Sequence, residues 1–310
     1  MSDGHKRSAS TLKRLPTESA NPSSRDLDRK SALEMARIIN AQDAKVAAAV
    51  KSALPQIARA IDAIAAALQH GGRLIYIGAG TSGRIAALDA VECPPTFNAD
   101  PKTVQFVIAG GPKALAAAVE ANEDSRQLGE RAVARKKPGR NDVVVGIAAS
   151  GRTPFTIAAI EYARRKGAKT IAVTCAPKSA LAQAAHFAIV TEVGPEVIAG
   201  SSRMKAGTAQ KMVLNMLSSG AMTRLGYVYG NLMVNVHLKN QKLRQRGITV
   251  LEQAAKVDRQ TAENALKLAG NSVPVALIML KTRIGRLEAQ RALKSSHGHV
   301  RQAIARAHSV

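Results

Sequence analysis

The sequence predicts an α/β protein: a three-layer sandwich with a central parallel sheet, plus a small C-terminal helical domain. Three observations carry this. Between residues 73 and 191 short apolar runs alternate with helical stretches, and strands separated by helices pair in parallel through right-handed crossovers. Beyond roughly Asn235 the strand-like runs stop and helical periodicity continues alone. Hydrophobic residues make up 46% of the chain but aromatics only 3%, so Ala, Val, Ile, Leu and Met must fill the core, as suits helices packed closely on a sheet.

The elements follow in order. Residues 1–30, rich in Ser, Pro and charge, read as a flexible basic arm. From Ser31 an N-terminal helical segment, 31–56, carries Leu33, Ala36, Ile38 and Ile39, then Val46, Ala49 and Val50. After Pro55 comes a helix with Ile57, Ile61, Ile64 and Leu68 on one stripe, stopped by His70-Gly71-Gly72. Strands are expected at Arg73–Ile77, Val104–Ala109, Asp142–Ile147, Lys169–Thr174 and Phe187–Thr191. Helices are expected through Ala90, from Lys113 to Ala121 and from Pro154 to Lys166. A long amphipathic helix then presents Ala209, Val213, Met216, Leu217 and Gly220. The expected division is a sheet domain over 57–235 and a helical domain over 236–310, the latter with breaks near Gly247, Gly270-Asn271 and Gly285.

Met1–Arg14 is polar and basic and lacks the apolar stretch of a secretory signal. The longest apolar runs, such as Val273–Leu280, are too short to span a bilayer. Cys93 and Cys175 are too few for a disulfide framework and lack metal-ligand spacing, and the seven histidines show no metal motif. A cytoplasmic protein without membrane contact, metal or cofactor is expected. The net charge of +23 is unusual. The segment Lys239–Arg306 has 14 basic and 4 acidic residues and so supplies +10 of it, with further clusters at Arg131–Arg140 and Arg164–Lys169. Such a surface steers anions, phosphorylated substrates among them. Without interleaved aromatics or a base-reading motif, the charge reads as solvated helix faces and not as a specific nucleic-acid site.

The first turn of the sheet is Gly78-Ala79-Gly80-Thr81-Ser82-Gly83, a G-x-G-x-x-G between strand and helix. A dinucleotide fold would need an acid at the end of its second strand, and here that end reads Ile108-Ala109-Gly110-Gly111-Pro112. What remains is a hydroxyl-rich turn at a helix start, where Thr81 and Ser82 can cap the helix or donate to an anion. The third strand ends similarly in Ala149-Ser150-Gly151-Arg152-Thr153-Pro154, with Thr153 as N-cap and Pro154 in the first helical turn. A third such start is Gly200-Ser201-Ser202-Arg203, with Lys205 close behind. Each turn alone is also explained by capping. Two alike at carboxyl ends of strands favour a ligand there, and without a P-loop lysine the fitting ligand is a phosphate monoester on a sugar.

The turns at 78–83 and 150–154 resemble the sugar isomerase (SIS) domain. Thr17-Glu18-Ser19-x-Asn21, Leu33-Glu34-Met35, Asp89-Ala90-x-Glu92-Cys93-Pro94-Pro95-Thr96 and Glu120-x-x-Glu123-Asp124-Ser125 narrow the likeness to the N-acetylmuramic acid 6-phosphate etherase family. So do Gly146–Pro154, Gly200–Lys211 and Gly230-Asn231-Leu232-Met233-Val234, and the likeness spans residues 15 to 305. It implies cleavage of a sugar-phosphate substrate into D-lactate and N-acetylglucosamine 6-phosphate by a homodimer. By the same resemblance Glu92 corresponds to the proton donor and Glu123 to the second catalytic carboxylate. Ser82, Ser150 and Thr153 would hold the phosphate, with Thr81, Gly83, Gly151, Ser201 and Ser202 around it and Lys205 adding charge.

From spacing alone Glu92 and Glu123 could equally be solvated residues near helix ends, and being 31 positions apart they can meet only through the fold. Cys93, with no evident activating base, reads as a small buried residue. His297-Gly298-His299 reads as structural or solvated, with a contribution to a neighbouring subunit's site left open. Three other functions share the domain: a sensor that binds sugar phosphates without turnover, a transcription regulator and an aldose–ketose isomerase. Regulators of this kind carry a helix-turn-helix before the domain. Here the helices at Ser31–Lys51 and Pro55–Gln69 show no convincing turn of that kind. Lactate release separates the first rival, and a ketose phosphate without lactate would mark the third.

Overall fold

The computed structural model describes residues 18–119, 122–236, 238 and 240–308. The chain forms two compact units: one runs up to Ala90 and resumes over Lys102–Leu217, the other takes Val91–Pro101 and the chain from Ser218 onward. The expected boundary at 235–236 therefore falls inside the second unit. One reason is a long-range bond: Asn235 Nδ2 donates to the carbonyl of Phe97 at 2.7 Å, joining the two stretches of that unit.

The first unit opens with α1 (Ala32–Asp43), α2 (Val46–Ser52) and α3 (Leu54–Gln69). Ser31 and Glu34 form a capping box at the start of α1, as a Ser three residues before a Glu should. The sheet then alternates with helices: β1 (Leu74–Gly78), α4 (Gly80–Phe97), β2 (Val104–Ile108), α5 (Arg126–Ala134), β3 (Val143–Ile147), α6 (Pro154–Arg165), β4 (Lys169–Thr174), α7 (Ala180–Ala184), β5 (Phe187–Val190) and α8 (Lys205–Arg224). All five strands are parallel in the order β2-β1-β3-β4-β5. Residues 74–78 and 143–147 are buried throughout, the mark of strands covered on both faces. Helix α3 packs on β1, β3 and β5, while α6 packs on β1, β3 and β4. On one face Ile75, Ile77, Val107, Val144 and Ala172 interlock with Phe155, Ile160 and Ala163 of α6 and Leu181 of α7. The expected three-layer sandwich is what forms.

Further expectations need correction. Residues 18–30 are not a free arm: Asn21 is buried, its Nδ2 donates to Gln42 Oε1 and to the Pro195 carbonyl, and Ser24 Oγ donates to the Val197 carbonyl. The rest of the expected arm, residues 1–17, lies outside the described residues. The helix expected over Lys113–Ala121 is a 3₁₀ turn, Gly111–Leu115, and Ala121 lies outside the described residues. Val119 returns to 2.9 Å from the place a Cβ on Gly110 would occupy, and an uninterrupted helix would have carried it away.

The second unit holds a hairpin, β6 (Val228–Tyr229) with β7 (Leu232–Met233), and five helices: α9 (Gln241–Ala255), α10 (Arg259–Leu268), α11 (Val273–Thr282), α12 (Arg286–Ser295) and α13 (Val300–Ala307). Their core gathers Ile248, Leu251, Leu266, Leu277, Ile278 and Val300. The breaks expected at Gly270-Asn271 and Gly285 are present, but Gly247 sits inside α9. A Cβ there would come within 2.9 Å of Leu238 Cδ2, so this glycine serves close packing and not helix termination. His299 is structural in the same way: its Nδ1 accepts from the Gln302 amide as cap of α13, and its ring lies against Gly226.

Candidate active site

In the order β2-β1-β3-β4-β5, the helix leaving β1 leads to one side and the helix leaving β3 to the other. A crevice therefore opens between the carboxyl ends of β1 and β3, where open parallel sheets bind ligands. Gly78 of β1 is in register with Ile147 of β3, so the two hydroxyl-rich turns leave the sheet side by side.

The first turn must be glycine-rich for contact reasons. A Cβ on Gly83 would lie 2.5 Å from Ile108 Cγ1 and 3.0 Å from the Gly78 carbonyl oxygen, so only glycine lets α4 start against the strand ends. Gly83 thus shapes the turn. Ser82 departs from the expected capping role. Its Oγ donates to Gln210 Oε1 on α8 at 3.0 Å, and both side chains are buried.

In the second turn Gly151 has φ +63, and a Cβ there would meet Ser179 Oγ at 2.1 Å. Ser150 Oγ accepts from the Arg152 amide at 3.3 Å, an ST-turn that orients the hydroxyl at the loop tip. Thr153 stands at the N-cap of α6, as expected, but makes no side-chain capping bond, so its hydroxyl is not engaged by the helix it precedes.

Glu123 links the two turns. It lies just before α5, which Ser125 caps by accepting from the Leu128 amide. Its backbone carbonyl accepts from the Phe155 amide at 3.0 Å, in the first turn of α6. Its carboxylate reaches the other side of the crevice, with Oε1 3.0 Å from the place a Cβ on Gly80 would take. The structure therefore brings Glu123 to the first turn by its side chain and to the second by its backbone.

The third loop joins them. The point where Gly207 would carry a Cβ is 3.5 Å from Thr81 Cγ2 and 3.7 Å from the Ser202 carbonyl oxygen, so Thr81 and Ser202 flank the same spot on α8. Ser201 closes the tight turn by donating its amide to Ile198. Glu196, which sequence reasoning missed, caps α8: its carboxylate accepts from the amides of Lys205 and Ala206 at 3.0 and 2.9 Å. A carboxylate there also meets the positive end of the helix dipole.

Lys205 is placed otherwise than expected. It is 1% exposed and its Nζ donates to Gln42 Oε1, which also receives Asn21. Burial lowers its pKa, with Glu196 opposing that shift. This ammonium organises the protein interior beneath the loop and does not present itself to a ligand. Cys175, at the end of β4, is buried beside Thr191, and burial pushes its thiol up to about 11, which leaves it unreactive. Glu92 is exposed and lies near the end of α4, in the stretch Val91–Pro101 that goes with the second unit. Among the described residues no cluster of three His, Cys, Asp or Glu could hold a metal ion, and no helix is long and apolar enough to cross a membrane.

The chain is similar to known proteins over most of its length. The pattern of the glucokinase regulatory protein N-terminal SIS domain matches residues 56–164, and that of the SIS domain matches residues 137–219. The chain is 58% identical over 270 residues to N-acetylmuramic acid 6-phosphate etherase of Symbiobacterium thermophilum, covering 87% of this chain and 89% of that protein. It is 50% identical over 293 residues to the etherase of the same name from Vibrio vulnificus, covering 94% and 98%. Among solved structures, a phosphoheptose isomerase from Francisella tularensis aligns with 63% of this chain and 100% of its own, at 21% identity and a TM-score of 0.48.

Proposed function

The chain belongs to the N-acetylmuramic acid 6-phosphate etherase family, and on that premise we propose how its own residues divide the work. The protein is an etherase that cleaves N-acetylmuramic acid 6-phosphate with water, giving N-acetylglucosamine 6-phosphate and D-lactate. An ether at C3 resists direct hydrolysis because an alkoxide leaves badly. Opening the sugar ring exposes an aldehyde at C1, which acidifies the proton on C2. A base takes that proton, the C3–O bond breaks as the C2–C3 double bond forms, and an acid protonates the departing lactyl oxygen. Water then adds across the double bond, returning hydrogen to C2 and hydroxyl to C3.

Glu123 is the base in this scheme. The observation that carries it is the carboxylate at 3.0 Å from the Cβ position of Gly80, at the crevice where both hydroxyl-rich turns end. A phosphate anchored by Ser82, Ser150 and Thr153 would hold the sugar within reach of that carboxylate. The turn amides and the start of α6 suit an anion. Glu92 is the acid, a role that rests on the family resemblance and on its exposed carboxyl. The working form is a cytoplasmic homodimer. Purified protein given N-acetylmuramic acid 6-phosphate should release D-lactate. Binding of the sugar without lactate would make it a sensor, and a ketose phosphate without lactate an isomerase.

A further inference from the structure

Gln210 projects from α8 toward the first turn and is 1% exposed. Its Oε1 accepts the Ser82 hydroxyl proton at 3.0 Å, while its Nε2 has no partner among the described residues. A buried donor without a partner is unfavourable, and orphaned N–H groups are rarer in proteins than under-used carbonyl oxygens. The arrangement also points Ser82 the wrong way for its task. A hydroxyl that donates into the protein offers only lone pairs outward, and a phosphate oxygen needs a donor. Inverting the amide solves both problems: Nε2 then donates to Ser82 Oγ, and the Ser82 proton turns toward the anion.

We infer that Gln210 is a positioning residue whose amide inverts on ligand binding, switching Ser82 from donating to Gln210 to donating to the sugar's phosphate monoester. The inference rests on the reading above that Ser82 is a phosphate ligand. It also accounts for a buried glutamine amide beside the apolar Val213, Leu214 and Leu217 of the same helix.

The test titrates the full-length protein and its variants with N-acetylglucosamine 6-phosphate and measures KM and kcat with substrate. Ser82→Ala should weaken binding about tenfold, the equivalent of one lost hydrogen bond to a charged group. Gln210→Met, similar in shape but unable to donate, should raise KM and Kd by about three- to tenfold with kcat within about twofold. Added to Ser82→Ala, it should change nothing further. Independent, multiplying effects of the two substitutions would overturn the proposal while leaving Ser82 as a ligand. Unchanged affinity in Ser82→Ala would overturn the phosphate reading itself. Gln210→Glu supplies a second readout if the methionine variant does not fold. A protonated carboxyl can still donate to Ser82 and an ionised one cannot, so its affinity relative to the unaltered protein should fall as pH rises from 5 to 8. A ratio flat across that range would sink the inference.

Discussion

The amide of Phe155 donates to the backbone carbonyl of Glu123 at 3.0 Å, so the loop bearing the carboxylate is tied to the first turn of α6 by a bond that needs no side chain. Chemistry at Glu123 can therefore be altered while its anchorage is kept.

Glu123→Gln should abolish exchange of the C2 proton with deuterated solvent and lower lactate release by about 10²–10⁴-fold, the usual contribution of a general base. Melting temperature should hold, because the bond to Phe155 survives. Glu92→Gln should keep some exchange while lactate release collapses. The reverse pattern would mean that the two carboxylates have exchanged roles.

Gly80→Ala tests how close the carboxylate stands to the turn. Gly80 has φ +52, and the added methyl would press on Glu123 Oε1 at 3.0 Å. Strain of about 1 kcal/mol is expected in thermal unfolding, with a larger proportional loss in kcat as the base is displaced. An intact kcat would place the working carboxylate elsewhere.

Two hydroxyls near the ends of α5 and α6 should respond in opposite ways. Ser125 caps α5, so Ser125→Ala should cost about 1 kcal/mol of stability. Thr153 makes no side-chain cap, so Thr153→Val should leave stability within about 0.5 kcal/mol and raise KM for the sugar phosphate. Denaturant titration and steady-state kinetics separate these outcomes.

At the other end of β1 and β3, Asp142 accepts from the Arg73 amide, Nε and Nη2 and from the Gly139 amide. Burial works to raise the pKa of Asp142, but the Arg73 and Gly139 hydrogen bonds outweigh it and hold the carboxyl below its usual range. A carboxylate with a lowered folded pKa contributes stability that is fully present above its unfolded value, about 4. That contribution is lost as pH falls through the lower folded value. Asp142→Asn should thus be less stable than the unaltered protein at pH 7 by about 2 kcal/mol, and the gap should shrink below pH 4. A gap constant down to pH 2 would refute the assignment.

Much of this molecule can be read from residue order. The alternation of apolar runs with helical stretches specifies five strands and their parallel pairing, and Gly78–Gly83 and Ser150–Pro154 mark the two turns. These signals are local: a strand, a cap or a tight glycine turn depends on neighbours within a few positions, so periodicity and residue type suffice. The same local logic misread Lys113–Val119, where good helix formers yield because Val119 packs back on Gly110. It also misjudged Lys205, whose place just after Ser201 and Ser202 suggested added charge for a phosphate and whose Nζ instead meets Gln42, 163 positions away.

The site itself is a product of long-range geometry. Glu123 reaches Gly80 because the strand order sets β1 beside β3, and Ser82 meets Gln210 across 128 residues because α8 returns over the first turn. Neither segment contains any trace of the other. Where two side chains meet depends on crossover direction and sheet order, which arise from the summed burial of the whole chain and leave no pattern in the few residues that touch.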